Sequence, residues 1–233
     1  MNKTRIEWCD YTINPVKGLC PMHCKTPDGY EYCYAAGERG LYKRFKWDEE
    51  ISYLPPHHLL WNLGNIKRPS RIFLGSTMEL FGEWIDPNYI AFLLGMIGNY
   101  PQHTFIFLTK QPQNLIKWSP FPENCWVGVS ATTNQQYREG LVGLAHIHAK
   151  VKFLSLEPLL ENIKVNCFDS FIHWVLIGQQ TPVKLATMPK KEWIDEIVFA
   201  CDKARTPVFI KENLKSALGI PKEGYIRQEF PNG

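Results

Sequence analysis

Six short apolar runs, each closed by a polar cluster, constrain this chain more than any other feature. Arg71-Ile72-Phe73-Leu74-Gly75 leads to Ser76-Thr77-Met78-Glu79, and Thr104-Phe105-Ile106-Phe107-Leu108 leads to Thr109-Lys110. Cys125 to Val129 leads to Ser130, and Val151 to Leu154 leads to Ser155-Leu156-Glu157-Pro158. His173 to Ile177 leads to Gly178-Gln179-Gln180, and Pro207 to Ile210 leads to Lys211-Glu212-Asn213. Runs that are apolar at nearly every position, rather than at alternate ones, mark strands buried on both faces, as parallel strands are. Helical patterns lie between them at 89–98, 134–148 and 190–203, the last two amphipathic. Strands alternating with helices predict an α/β fold with a parallel sheet and right-handed crossovers.

With the segment 6–16 the count is about seven strands, which suits a complete or partial (β/α) TIM-type barrel. A doubly wound open sheet is the competing architecture. In either, sites form at the C-terminal ends of the strands. Glu79, Lys110, Ser130, Glu157, Gln180 and Lys211 all fall at such ends, and their coincidence says more than any one of them. No Ser/Gly linker, low-complexity tract or block of like charge divides the 233 residues, so the expectation is a single domain over 1–233.

A chain that is 45% hydrophobic has enough apolar residues for a full core. A net charge of +3 does not mark an obligate nucleic-acid binder. The longest apolar runs, such as 91–97, are too short to span a bilayer. Seven cysteines form no even framework, and the opening residues 1–7 hold no apolar signal region. The expected setting is reducing and cytoplasmic, with thiols that stay reduced or bind metal.

Three of those cysteines share one loop over 18–35. Gly18-Leu19-Cys20-Pro21-Met22-His23-Cys24 opens it and Tyr32-Cys33-Tyr34 closes it. Three converging thiolates can hold three irons of a [4Fe–4S] cluster and leave the fourth iron open to bind and reduce a ligand. The spacing is Cys-x3-Cys-x8-Cys, where the radical S-adenosylmethionine (radical SAM) loop is Cys-x3-Cys-x2-Cys with an aromatic residue before the last cysteine. The first interval agrees and Tyr32 supplies the aromatic. The second is six residues longer, and the insertion 25–30 reads as a turn that need not part the thiols.

Two other states of the loop stay open. Zinc held by the three cysteines with His23 or a distant ligand is one, although zinc sites usually show two close pairs of ligands. Three unliganded thiols is the other, although structural cysteines seldom sit among polar residues. Cys125 and Cys201 read as core and Cys167 as loop. Cys9 lies just upstream of the cluster loop and is not expected as a ligand, although a cluster that only transfers electrons would need Cys9 or another residue to complete its ligand set. The seven histidines show no helix-borne zinc motif. His146 and His148, two apart, are expected on different faces of one helix. No Walker loop, dinucleotide fingerprint, nucleophile elbow or zinc-deaminase signature is present.

Read together, Ile6-Glu7-Trp8, Asn14-Pro15-Val16 and the loop ending Cys33-Tyr34-Ala35 resemble the phage-associated radical-SAM-like proteins with a three-cysteine motif, a family of poorly defined function. The resemblance continues, in order, through Phe73 to Ser76, Glu79-Leu80-Phe81, Leu108-Thr109-Lys110 and Asn124 to Ser130. It then runs through Ser155 to Leu160, Trp174 to Gly178 and Phe209-Ile210-Lys211. It implies a radical SAM type of barrel, a [4Fe–4S] cluster held by Cys20, Cys24 and Cys33, and S-adenosylmethionine. It further implies an electron donor such as flavodoxin or ferredoxin. The strand end that often reads Gly-Gly-Glu-Ser-Gly in the family reads Gly178-Gln179-Gln180-Thr181-Pro182 here, so a carboxylate has become an amide.

From that resemblance, Ser76, Thr77 and Glu79 are expected near the methionine ammonium, with Glu79 the acceptor. Its alternative is a solvated carboxylate at a helix N-terminus. Lys110 and Ser130 are expected on the methionine carboxylate and the ribose, unless Lys110 is only a surface charge. Tyr32 and Tyr34 flank the adenine or pack the loop. Glu157 and Lys211 are the candidate catalytic pair, with Gln180 beside the substrate, and Lys211 pairs equally well with Glu157 or Glu212 as scaffold. The substrate class suggested by phage association is a nucleic-acid base or nucleotide. The cations and aromatics of 39–46 suit such a partner, as does an ordinary solvated helix face. The contrasting function is a zinc-stabilised, non-catalytic binding module.

Overall fold

The computed structural model describes residues 2–4, 6–26, 29–37, 40–47 and 49–232. The chain is mixed α/β and gathers into two compact units, 1–109 with 122–125, and 110–121 with 126–233.

The first unit holds β1 (Asn2–Lys3), β2 (Tyr11–Ile13), β3 (Val16–Lys17), β4 (Ser52–Tyr53), β5 (Arg71–Leu74) and β6 (Thr104–Thr109). Its helices are α1 (Leu41–Phe45), α2 (Pro56–Gly64) and α3 (Pro87–Ile97). β2, β5 and β6 run parallel, with β1 antiparallel on β2, while β3 and β4 form a separate antiparallel pair. Register places Ile13 beside Leu74 and Leu74 beside Phe107. Asn14, Ser76 and Thr109 therefore emerge close to the same level, at the C-terminal edge. α3 begins where Asp86 accepts the Asn88 N–H at 2.9 Å and Pro87 takes the first turn, where its missing N–H costs nothing. Its buried residues Ile90, Leu93, Leu94 and Ile97 recur at helical spacing.

The second unit holds β7 (Cys125–Ser130) from Trp126 onward, β8 (Val151–Leu156), β9 (Trp174–Ile177) and β10 (Val208–Ile210), with α4 (Asn134–Ala145) and α5 (Lys191–Ala204). β8 pairs parallel with β7 and β9, and β9 with β10. Seven parallel strands are thus present among the described residues, three in one unit and four in the other. All six apolar runs became strands, as their continuous hydrophobicity predicts. Trp174 is fully buried and packs against Trp126, Phe153, Phe209 and Phe230. Its indole N–H donates to Glu229 O at 2.8 Å, so burial of the large ring leaves no donor stranded.

Register again aligns the strand ends. Ser130 stands opposite Ser155, Leu156 opposite Ile177, and Ile177 opposite Ile210. The next residues, Glu157, Gly178 and Lys211, are brought level.

The helix expected over 134–148 ends at Ala145. His146 caps it, its Nδ1 2.7 Å from Val142 O, and Ile147 turns inward at 2% exposure. His146 and His148 therefore lie beyond the helix rather than on two of its faces, and both are exposed. α2 carries no strong periodic signal and was not expected. Among the described residues no helix is long and apolar enough to cross a membrane.

Candidate functional site

The cysteine loop leaves β3 through Gly18, whose φ of +117° suits glycine alone. A Cβ there would also meet Glu50 O at 2.6 Å. The insertion between Cys24 and Cys33 closes on itself. Lys25 and Glu31 form an antiparallel bridge, Thr26 N–H donates to Tyr30 O at 2.9 Å, and Gly29 N–H donates to Thr26 O at 2.9 Å. Tyr32 N–H then donates to Cys24 O at 3.1 Å, so the chain returns to Cys24 one residue before Cys33. The expected turn over 25–30 closes through these bonds as a small hairpin, and Pro27 and Asp28 lie outside the described residues.

The loop is fastened to the turn after β5. Glu79 N–H donates to Cys20 Sγ at 3.4 Å. Cys20 N–H donates to the Tyr42 hydroxyl at 3.4 Å, and that hydroxyl donates to Thr77 O at 2.7 Å. Tyr34, an exposed side chain, donates its hydroxyl hydrogen bond to Ser76 O. Ser76 Oγ donates to Asn14 Oδ1 at 3.0 Å. Tyr32 is buried.

Glu79 is 7% exposed and belongs to this turn, not to a helix N-terminus, so the solvated alternative does not describe it. Its Oε1 accepts from Thr109 Oγ1 at 2.7 Å and from Phe81 N–H at 3.2 Å. The Thr77 hydroxyl is buried and has no hydrogen-bond partner among the described residues. A buried orphan of this kind costs about 1–3 kcal/mol unless a ligand or water satisfies it.

Burial pushes the Cys20 thiol above its ordinary value, against the pull of the Glu79 and Met22 backbone N–H groups. Coulombic repulsion from Glu79 and Cys33 adds to the rise. A bound cation would reverse this balance, because a coordinating thiol is deprotonated by the charge it meets. Cys20, Cys24 and Cys33 are all half-buried thiols. The donor set fits a cluster in its chemistry: three thiols on one short loop, one of them accepting a backbone N–H. Among the described residues no group of three or more His, Cys, Asp or Glu is drawn together closely enough to hold a single metal ion.

Cys125 and Cys201 are core residues whose thiols burial pushes up to about 12. Cys167 is exposed, and Cys9 is buried with Sγ 3.9 Å from Ile6 O. His23 is exposed at a φ of +40°.

The second unit has its own polar centre at the ends of β7 to β10. Lys110 Nζ donates to Ser130 Oγ at 2.9 Å, and Ser130 Oγ donates to Glu157 O at 3.1 Å. Lys110 is therefore more than a surface charge. Lys211 pairs with Glu157, their side chains 15% and 21% exposed, while Glu212 pairs with Lys215. Gly178 makes room for that pair, since a Cβ there would lie 2.8 Å from the Glu157 carboxyl carbon. Gln180 is buried and its Oε1 accepts from Thr187 Oγ1 at 2.9 Å. Asn213 bonds the Gln179 backbone and side chain. Of the segment 39–46, Arg39 lies outside the described residues, and 41–45 form α1 with Arg44 5.5 Å from the Phe45 ring centre.

Sequence reasoning missed Thr109 and Tyr42. Thr109 had a signal: it shares the period-two face of β6 with Phe105 and Phe107. Tyr42 had none, because only the tertiary fold brings it to Cys20.

No curated protein and no solved structure matches the chain. A family model described as "Protein of unknown function (DUF5131)" matches residues 3–217, and the chain therefore belongs to that family.

Proposed function

We propose that this protein is a radical SAM enzyme of the three-cysteine kind, built on a partial (β/α) barrel. Cys20, Cys24 and Cys33 would hold a [4Fe–4S] cluster. When bound, the cluster supplies the electron that cleaves S-adenosylmethionine reductively and starts radical chemistry on a substrate. The observation that carries this reading is the fastening of the Cys20 thiol to the turn that bears Glu79, through the Glu79 N–H. A hydrogen bond to sulfur lowers the charge density on the thiolate and tunes the potential of an attached cluster.

The chain's own residues orient and enclose. Glu79, braced by Thr109, is the acceptor for the ammonium of the methionine moiety, with the Ser76 and Thr77 turn beside it. Tyr32 and Tyr34 wall the loop. The second unit offers ammonium, hydroxyl, carboxylate and amide groups at Lys110, Ser130, Glu157, Gln180 and Lys211 for polar ligands, and the substrate class proposed is a nucleobase or nucleotide. The reading carries with it a cytoplasmic setting and an electron donor of the flavodoxin or ferredoxin type.

Anaerobic reconstitution with iron and sulfide tests it. A brown protein with iron and sulfide in equal amounts, which cleaves S-adenosylmethionine when reduced, is the expected result. Cys20→Ala, Cys24→Ala and Cys33→Ala should each abolish cluster binding, while Cys125→Ala and Cys201→Ala, at buried core thiols, should keep it. A colourless protein with stoichiometric zinc would establish the binding-module reading instead.

A further inference from the structure

We infer that Tyr42 is a positioning residue that clamps both ends of the cysteine loop and sets the environment of the Cys20 sulfur. The proposal extends the cluster reading above to a residue outside the cysteine motif.

Tyr42 is 8% exposed and sits on α1, nine residues after Cys33. Its backbone N–H donates to Ala35 O at 3.1 Å, which holds the Cys33 end of the loop. Close approach there depends on Gly40, where a Cβ would lie 2.3 Å from Ala35 O. Its side chain reaches the other end. The phenol oxygen accepts the Cys20 N–H at 3.4 Å and donates to Thr77 O at 2.7 Å. One hydroxyl thus bridges the first cysteine to the β5 turn, two residues from Glu79, whose N–H meets the same cysteine's sulfur.

A phenol can do this because it accepts and donates at one atom. Trp47 steadies the ring, 5.7 Å away, and its N–H donates to Tyr42 O at 3.0 Å. Phenylalanine would keep the ring packing and lose both hydroxyl bonds. Cys20 would then be free to move off the turn, and the Glu79 N–H to sulfur bond would lengthen with it. Hydrogen bonds to cluster sulfurs raise the reduction potential, so loosening one lowers it.

The test compares Tyr42→Phe with Tyr89→Phe, which also loses a half-buried hydroxyl, one that bonds Pro15 O and Leu54 O at 3.0 Å. In reconstituted protein, the midpoint potential should shift to more negative values in Tyr42→Phe and stay at the wild-type value in Tyr89→Phe. In iron-free protein, mass-spectrometric alkylation should label Cys20 several-fold faster in Tyr42→Phe only. Hydrogen exchange on the unaltered chain asks the same question without a variant: the Cys20 and Glu79 amides should be protected.

A Tyr42→Phe protein with wild-type potential and wild-type Cys20 alkylation overturns the clamp. So does rapid exchange at both amides. If the wild-type chain binds no iron, the cluster reading fails, and the alkylation and exchange results still decide the clamp by themselves.

Discussion

Glu79 shows how much one side chain depends on its neighbours. A carboxylate after a strand reads equally as a solvated charge or as a ligand-binding group. Burial to 7% exposure and the hydrogen bond from Thr109 show a carboxylate enclosed by the fold rather than one facing solvent. Glu157 follows the same logic in the second unit. Lys211 sits against it, and Gly178 leaves the space that a methyl group would take. Gly128 makes the sharpest prediction at this scale. A Cβ on it would lie 2.3 Å from the ring of Phe153, which is fully buried and packed on Trp174. Gly128→Ala should therefore destabilise the protein by about 1–3 kcal/mol, because a rigid ring in a filled core has nowhere to move. Urea unfolding checks it, and an unchanged midpoint would mean that the Phe153 ring yields.

Among the elements, the hairpin between Cys24 and Cys33 explains the unusual spacing. Its bonds run from Thr26 to Tyr30 and from Tyr32 back to Cys24, so it carries its own closure. Deleting 25–30 leaves Glu31 and Tyr32 between the two cysteines, which restores a two-residue interval. The deletion variant should bind as much iron as the full chain on anaerobic reconstitution. Loss of iron would show that the hairpin helps to place Cys24 or Cys33. The strands were legible because a parallel strand buried on both faces must be apolar throughout. The helices were legible where they are amphipathic, as in α5, whose buried Ile194, Ile197, Ala200 and Cys201 follow the helical period. α1 and α2 were not, since five and nine residues give periodicity too little length to register.

For the molecule as a whole, two histidines oppose the folded state in mild acid. His103 is 1% exposed, and neither ring nitrogen has a hydrogen-bond partner among the described residues. Burial holds its imidazole below the ordinary value of 6.5. His173 is also held below 6.5, by burial first and then by the charge of Lys152, and its Nδ1 accepts the Lys152 N–H at 2.9 Å. A histidine whose folded pKa is depressed binds its proton first in the unfolded chain. Stability is therefore full above about pH 6.5 and falls as the pH drops below it, until the folded pKa is reached. Each histidine contributes a slope of up to about 1.4 kcal/mol per pH unit in that window. Unfolding at pH 7.5 and 5.5 should show the loss, and His103→Leu should reduce it. Equal stability at the two values would refute the assignment.

The sequence by itself determined the kind of fold and which chemical groups follow its strands. Runs of apolar residues dictate buried parallel strands, and residue type puts hydroxyls, carboxylates, amides and ammonium groups at their ends and three thiols in one loop. Only tertiary structure decided which groups meet. Register levels Glu157 with Gly178 and Lys211, and Asn14 with Gly75, next to the Ser76 that bonds it. Chain crossing brings Tyr42 to Cys20, 22 positions away, and Thr109 to Glu79, 30 positions away. Hydrogen bonds act over about 3 Å of space and carry no trace in linear spacing. A pattern read along the chain finds the strands and the donors, and the fold alone pairs them.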